Sequence, residues 1–203
     1  EIFPISGTSD NTDILLRITN DAAKANVKMR LWGDGSLETG TQTAVTLSNQ
    51  VSHAAGRFAA DGDAQYMRIV MRREITGTSE TDLFIDGSSA RPTIASNTIW
   101  TGSVTCNGVI RTVGNGTTIV AGDAYSYYEP FTIKNVGGTT SQITATLGIG
   151  EIFVDASMGG AGFTISADNT NDALKVTFTP PTNAGSTTVS RAVCTVEITQ
   201  TGF

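Results

Sequence analysis

The chain has 203 residues, of which 39% are hydrophobic and 22 are glycine, and it carries a formal net charge of -6. That length suffices to bury a core in one large β domain or two small ones, and the abundance of Thr and Val favours strand over helix and argues against disorder. Its 13 cationic residues are scattered, which leaves no electrostatic footprint for nucleic acid and disfavours a polyanionic ligand. No apolar run approaches the roughly 18 residues of a membrane-spanning helix, so no membrane insertion is expected.

The chain opens on Glu1-Ile2-Phe3-Pro4-Ile5-Ser6-Gly7, which lacks the basic start and apolar core of a signal peptide and reads as part of a longer chain. Ala22-Ala23-Lys24-Ala25 could make a helical turn, but its neighbours allow no amphipathic face of useful length. In Val27 to Leu31 the period is that of a strand, with Val27, Met29 and Leu31 on a half-buried face and Lys28 and Arg30 opposite. Gly33-Asp34-Gly35 tolerates positive φ and predicts a hairpin turn, with Leu37 starting the return strand.

Residues Gln65 to Ile75 alternate again. Met67, Ile69, Met71 and Ile75 share one face, interrupted by Arg73, while Tyr66, Arg68, Val70 and Arg72 share a second face suited to meeting a neighbour. Beyond Gly77 to Thr81 charged residues thin out, and only Lys134, Lys175 and Arg191 are cationic after Arg111. The expected organisation is a β-rich segment over residues 1–80, shaft-like or a small β domain, and a C-terminal domain over 81–203.

Within the second part, Trp100 to Cys106, Asn107-Gly108 and Val109 to Val113 predict a two-residue type I′ hairpin. Further strands are expected at Phe131 to Val136, Gln142 to Leu147, Ile152 to Val154, Phe163 to Ala167, Leu174 to Phe178 and Ala192 to Ile198, separated by Gly-rich or Pro-Pro turns. This is the pattern of an all-β protein without long helices, its C-terminal domain an antiparallel, jelly-roll-like β-sandwich. In the last strand Ala192, Cys194, Val196 and Ile198 face the core, and Val193, Thr195 and Glu197 face away. Cys106 and Cys194 are too few and too distant in sequence for a disulfide framework or a zinc site, and are expected as free, semi-buried thiols.

Chemistry-bearing constellations are sparse. His53 is the sole histidine, so one chain offers no multi-histidine metal site. No Gly-x-Ser-x-Gly elbow flanks a serine, and Cys106 has no adjacent cation to lower its pKa. Asp61 with Asp63, or Asp82 with Asp86, are carboxylate pairs of the type glycoside hydrolysis requires, though acidic turns are commoner. Asp61-Gly62-Asp63 and Asp168 to Asp172 contain calcium-type oxygens without a complete spaced loop, and Gly159-Gly160-Ala161-Gly162 lacks the Lys-Ser/Thr of a phosphate loop. No metal site, cofactor or catalytic set is therefore expected. The ligand-binding candidates are aromatic: Tyr125, Tyr127 and Tyr128 in a polar loop ending Glu129-Pro130, and Trp32 and Trp100 at strand ends, where flat faces and indole N–H donors suit saccharides. The alternative for each is packing.

Several stretches resemble phage tail-fibre and tailspike chains: Ile14 to Asn20 with Leu31 to Gly40, then Asp82 to Arg91, Asn97 to Trp100, Ala167 to Thr177 and Arg191 to Val196. The later ones are similar to a C-terminal β module of such proteins, and together they span about half the chain. The resemblance implies a homotrimeric virion appendage that joins other phage tail proteins and presents its distal end to a host-surface polysaccharide or receptor. It brings no catalytic positions, since tailspikes that cut polysaccharide generally do so in a separate β-helical body upstream. A part of a polysaccharide depolymerase and a capsid decoration protein are the alternatives.

Overall fold

The computed structural model describes residues 2–6, 12–17, 27–40, 42–114, 118–143 and 151–203. The expectations at Ala22 to Ala25 and over most of Gln142 to Leu147 lie outside them.

The described residues form an all-β structure with one short 3₁₀ turn at Ala156–Met158. Strands run β1 (Ile2–Ser6), β2 (Thr12–Arg17), β3 (Val27–Leu31), β4 (Leu37–Gly40), β5 (Val51–Ala54), β6 (Ala64–Thr76), β7 (Thr81–Asp82), β8 (Thr98–Thr112), β9 (Ala124–Val136), β10 (Thr139–Gln142), β11 (Glu151–Val154), β12 (Gly162–Asp168), β13 (Ala173–Thr179) and β14 (Val189–Gly202). A large, mostly antiparallel sheet follows the order β1-β2-β3-β4-β5-β6-β14-β8-β9-β10, with β11 also on β9, and a second sheet is β12-β13-β7. The large sheet is open, ending in β1 and β10. The long strands β6, β14, β8 and β9 make its centre, and β6 pairs with β14 from Thr76↔Val189 to Ala64↔Thr201, so hydrogen bonding links residues on either side of residue 80.

Alternation explains why these four strands carry the core. Met67, Ile69 and Met71 of β6, Cys194, Val196 and Ile198 of β14, and Val104 and Ile110 of β8 are almost fully buried. They meet Leu174, Val176 and Phe178 of β13 and Phe163 and Ile165 of β12 in one cluster. Each such side chain removed from water contributes about 1.5–3 kcal/mol before entropy is counted. A separate polar knot fixes the segment before β5. Gln50 is buried, its Oε1 accepts the N–H groups of Thr46 and Leu47 at 3.2 and 3.0 Å, and its amide donates to Ser52 Oγ.

Four expectations are corrected here. Asn107 and Gly108 do not turn: β8 runs straight through them, with Asn107 opposite Val193 and Gly108 opposite Ala192. A side chain at Gly108 would place its Cβ 2.6 Å from the Phe178 ring, so the glycine is a gap into which the small sheet inserts an aromatic. Cys106 and Cys194 are not free thiols but a buried disulfide, because the register of β8 on β14 sets them directly opposite at a Cα separation of 4.1 Å. The tyrosines of Tyr125 to Pro130 lie in strand β9, not in a loop; Pro130 falls between the stretches of β9 that β10 and β11 cover. On β3 the apolar face is the open one: Met29 and Leu31 are each 42% exposed, whereas Arg30 lies over the Trp32 ring.

The Gly33 to Gly35 hairpin forms as expected, with Leu31 opposite Leu37, Gly35 at φ +85° and Asp34 Oδ1 accepting the Ser36 N–H at 3.0 Å.

Candidate functional site on the open sheet face

The face of β6, β14, β8 and β9 that points away from the small sheet carries a regular grid of side chains. Register sets Tyr66, Thr199, Thr101 and Thr132 in one cross-strand row, Arg68, Glu197, Ser103 and Pro130 in the next, and Val70, Thr195, Thr105 and Tyr128 in the third. Tyr66 and Val70 are about two-fifths exposed. A shallow hollow of 280 Å³ lies across these rows, with Tyr66 and Tyr128 as aromatic walls and Glu197, Thr101, Ser103 and Thr199 supplying polar groups. Tyr66 and Glu197 are hydrogen-bonded, and burial followed by the Glu197 charge raises the phenol pKa, so the phenol stays protonated. The arrangement combines flat aromatic faces with hydroxyl donors and a carboxylate acceptor, the functional groups that recognise a polyhydroxylated ligand.

Of the aromatic candidates read from the sequence, the structure places only Tyr128 in this hollow. Trp100 is 1% exposed, and its Nε1 donates to Gln200 Oε1 at 2.7 Å, so it is a core residue. Tyr125 and Tyr127 point the other way from Tyr128 and pack around Phe163, each with a ring-centroid separation of 6.0 Å; Tyr127 Oη donates to Glu129. Trp32 lies far along the chain on the β3–β4 turn, with the Arg30 guanidinium 3.5 Å from its ring centre and its Nε1 donating to Glu38 at 3.2 Å. Burial raises the Glu38 pKa against the lowering effect of that bond. Tyr66, Glu197 and their hydroxyl neighbours were missed as a site; the signal was the alternation of β6 and β14, which puts them on one face without saying that β8 and β9 complete it.

The carboxylate pairs have structural partners. Asp61 bonds Arg57 at 2.7 Å, and Asp63 accepts the N–H groups of Phe58, Ala59 and Ala60. Asp86 accepts those of Ser88, Ser89 and Ala90, which hold its carboxyl well below the usual range. Asp82 is bound by Arg91 at 2.8 Å and by Thr177 at 3.0 Å. Asp168 Oδ1 closes its turn on the Thr170 and Asn171 N–H groups. His53 is exposed, with Nδ1 3.1 Å from Thr39 Oγ1.

The fold and this face define an all-β, two-sheet module. No family model and no curated protein matches the sequence. Among solved structures, the chain is similar in part to the crystal structure of tailspike protein gp49 from Acinetobacter baumannii bacteriophage Fri1, a capsular polysaccharide depolymerase, at 10% identity and a TM-score of 0.36. The match covers 78% of this chain and 22% of that one, so the chain spans about a fifth of the length of that protein.

Proposed function

We propose that this chain is a structural and attachment module of a phage tail fibre or tailspike, that it acts as a homotrimer on the virion, and that it contacts host-surface saccharide through the open face of its central sheet. The observation that carries the reading is the face itself: four long, register-matched strands whose outer side presents Tyr66, Tyr128, Glu197 and a set of hydroxyls around a hollow that no strand among the described residues covers. The stretches of sequence that resemble tail-fibre chains supply the biological setting. Strand β1, which has no further strand beyond it among the described residues, and the open apolar side of Met29 and Leu31 fit association with like chains or with neighbouring tail proteins.

The test has two parts on the purified chain: solution mass, and binding to a panel of bacterial capsular and O-antigen polysaccharides. A trimer that binds at least one surface polysaccharide, with binding lost when Tyr66 and Tyr128 are replaced by alanine, supports the proposal. A monomer that binds none of the panel overturns it.

A further inference from the structure

A second hollow, of 310 Å³, opens on the same face toward the other end of β6 and β14, lined by Arg72, Arg73, Glu74, Asp86, Gly87 and Arg191. Its charge is unlike that of the rest of the chain. Arg111 joins Arg191 on Glu74, at 3.2 and 2.8 Å, so one carboxylate serves two guanidinium groups. Arg72 and Arg73 are held differently. Arg72 donates to the backbone carbonyls of Ile85 and Asp86, both at 3.0 Å, and Arg73 to those of Gly87 and Ser88 at 3.1 and 2.7 Å. Carbonyl oxygens fix the position of a guanidinium without cancelling its charge, and each guanidinium has five N–H donors, of which these bonds engage at most two. The Asp86 carboxylate is turned onto its own loop N–H groups. Three arginines of the outer face, Arg72, Arg111 and Arg191, therefore meet Glu74 here, with Arg73 reaching the same loop from the other side of β6, in a protein of net charge -6.

The loop is built for this approach. Gly87 sits at φ +81°, and a Cβ there would stand 3.2 Å from Arg72 Nε, so the glycine lets the loop fold against the arginine. Along β6 the hollow lies four residues from the row of Arg68 and Glu197, about 13 Å at strand rise, so one extended ligand on this face reaches both hollows.

We propose that this hollow binds a carboxylate carried on a saccharide, making the ligand of the open face an acidic polysaccharide; the inference rests on the attachment reading for its setting but on the arginines for its chemistry. Scattered cations in the sequence disfavour a polyanion; the fold reverses that locally by bringing Arg72, Arg111 and Arg191 together from three strands. Planar guanidinium groups suit bidentate capture of a carboxylate.

The test is calorimetric titration of the whole chain with trigalacturonate and, for comparison, neutral galactotriose. The expected result is at least about tenfold tighter binding of the acidic trimer, weakening with added salt, and loss of that preference in Arg191→Gln. Arg72→Gln serves as a second variant, with thermal unfolding run on both to confirm folding. Equal affinity for the two trimers, or an acidic preference retained in both folded variants, overturns the proposal. So does a change of solution mass in Arg191→Gln with uronate binding intact, which assigns the arginines to a contact between copies. Binding of bacterial polysaccharides without acidic preference sinks this inference and leaves the attachment reading standing. Uronate binding through the arginines, with no bacterial polysaccharide bound by a monomeric chain, does the reverse.

Discussion

Phe178 of the small sheet lies against the backbone of Gly108 in the large one, so closely that a Cβ on Gly108 would come within 2.6 and 2.7 Å of two ring carbons. Phe178 also packs on Phe163 at a centroid separation of 4.8 Å, and Tyr125 stands opposite Gly108 in register, so the contact joins the two sheets at their aromatic centre. Gly108→Ala removes an unfavourable strand glycine yet is expected to destabilise by about 1–3 kcal/mol through overpacking. Chemical denaturation measures this, and in a Phe178→Leu background the cost should shrink. An alanine that is neutral or stabilising in the wild-type background would mean the sheets do not meet here.

That contact also marks where sequence reasoning stops. The alternation of Met67, Ile69 and Met71, and of Cys194, Val196 and Ile198, is a local property of a strand with one buried face, so it was legible. So was the turn at Gly35. Asn107-Gly108 carried a strong local turn signal, but the need for a glycine there comes from a ring 70 residues later, which only the packed sheets bring near. The pairing of Cys106 with Cys194 is likewise a consequence of register. In the site, Tyr128 could be singled out from composition, whereas Tyr66, Glu197 and the arginine cluster became neighbours only through the order β6-β14-β8-β9.

The Cys106–Cys194 disulfide spans 88 residues of sequence, and both cysteines are fully buried. The native protein should therefore show no thiol reactive to an aromatic disulfide reagent, and should resist mild reductant until it unfolds. Reduction under denaturing conditions should release two thiols, and loss of the link should cost about 4–5 kcal/mol on the loop-entropy account. Thiol titration before and after unfolding checks the first point, and urea midpoints with and without reductant check the second.

Acid stability should depend on Asp82. Burial alone would raise its pKa, but hydrogen bonds from Arg91 and Thr177 and the charge of Lys175 outweigh burial and hold it below the usual carboxylate range. A carboxyl depressed in the folded state adds stability that is present above its unfolded pKa, near 4, and is lost as pH falls through the folded value. Asp82→Asn is expected to cost about 1–2 kcal/mol at pH 7 and to flatten the decline of stability below about pH 4. Unfolding curves at pH 7 and pH 3 test this; an unchanged acid limb would contradict it.

Tyrosines of the open face and the tryptophan of the core should separate by phenotype. Tyr66→Ala and Tyr128→Ala remove side chains from the outer face and should cost under about 1 kcal/mol in stability while weakening saccharide binding. Trp100→Phe leaves the part-buried Gln200 without its indole donor and should cost about 1–2 kcal/mol without changing the affinity of the folded protein. Parallel thermal melts and binding titrations on the three variants distinguish the roles; loss of affinity only in Trp100→Phe would move the site off this face.

The central claim, an oligomeric appendage module with a saccharide-binding open face, is tested most directly by the solution mass of the purified chain by light scattering, with and without bound bacterial polysaccharide. The account predicts a particle of three times the 21.2 kDa chain mass that takes up polysaccharide without falling apart. A clean monomer that takes up none would contradict it.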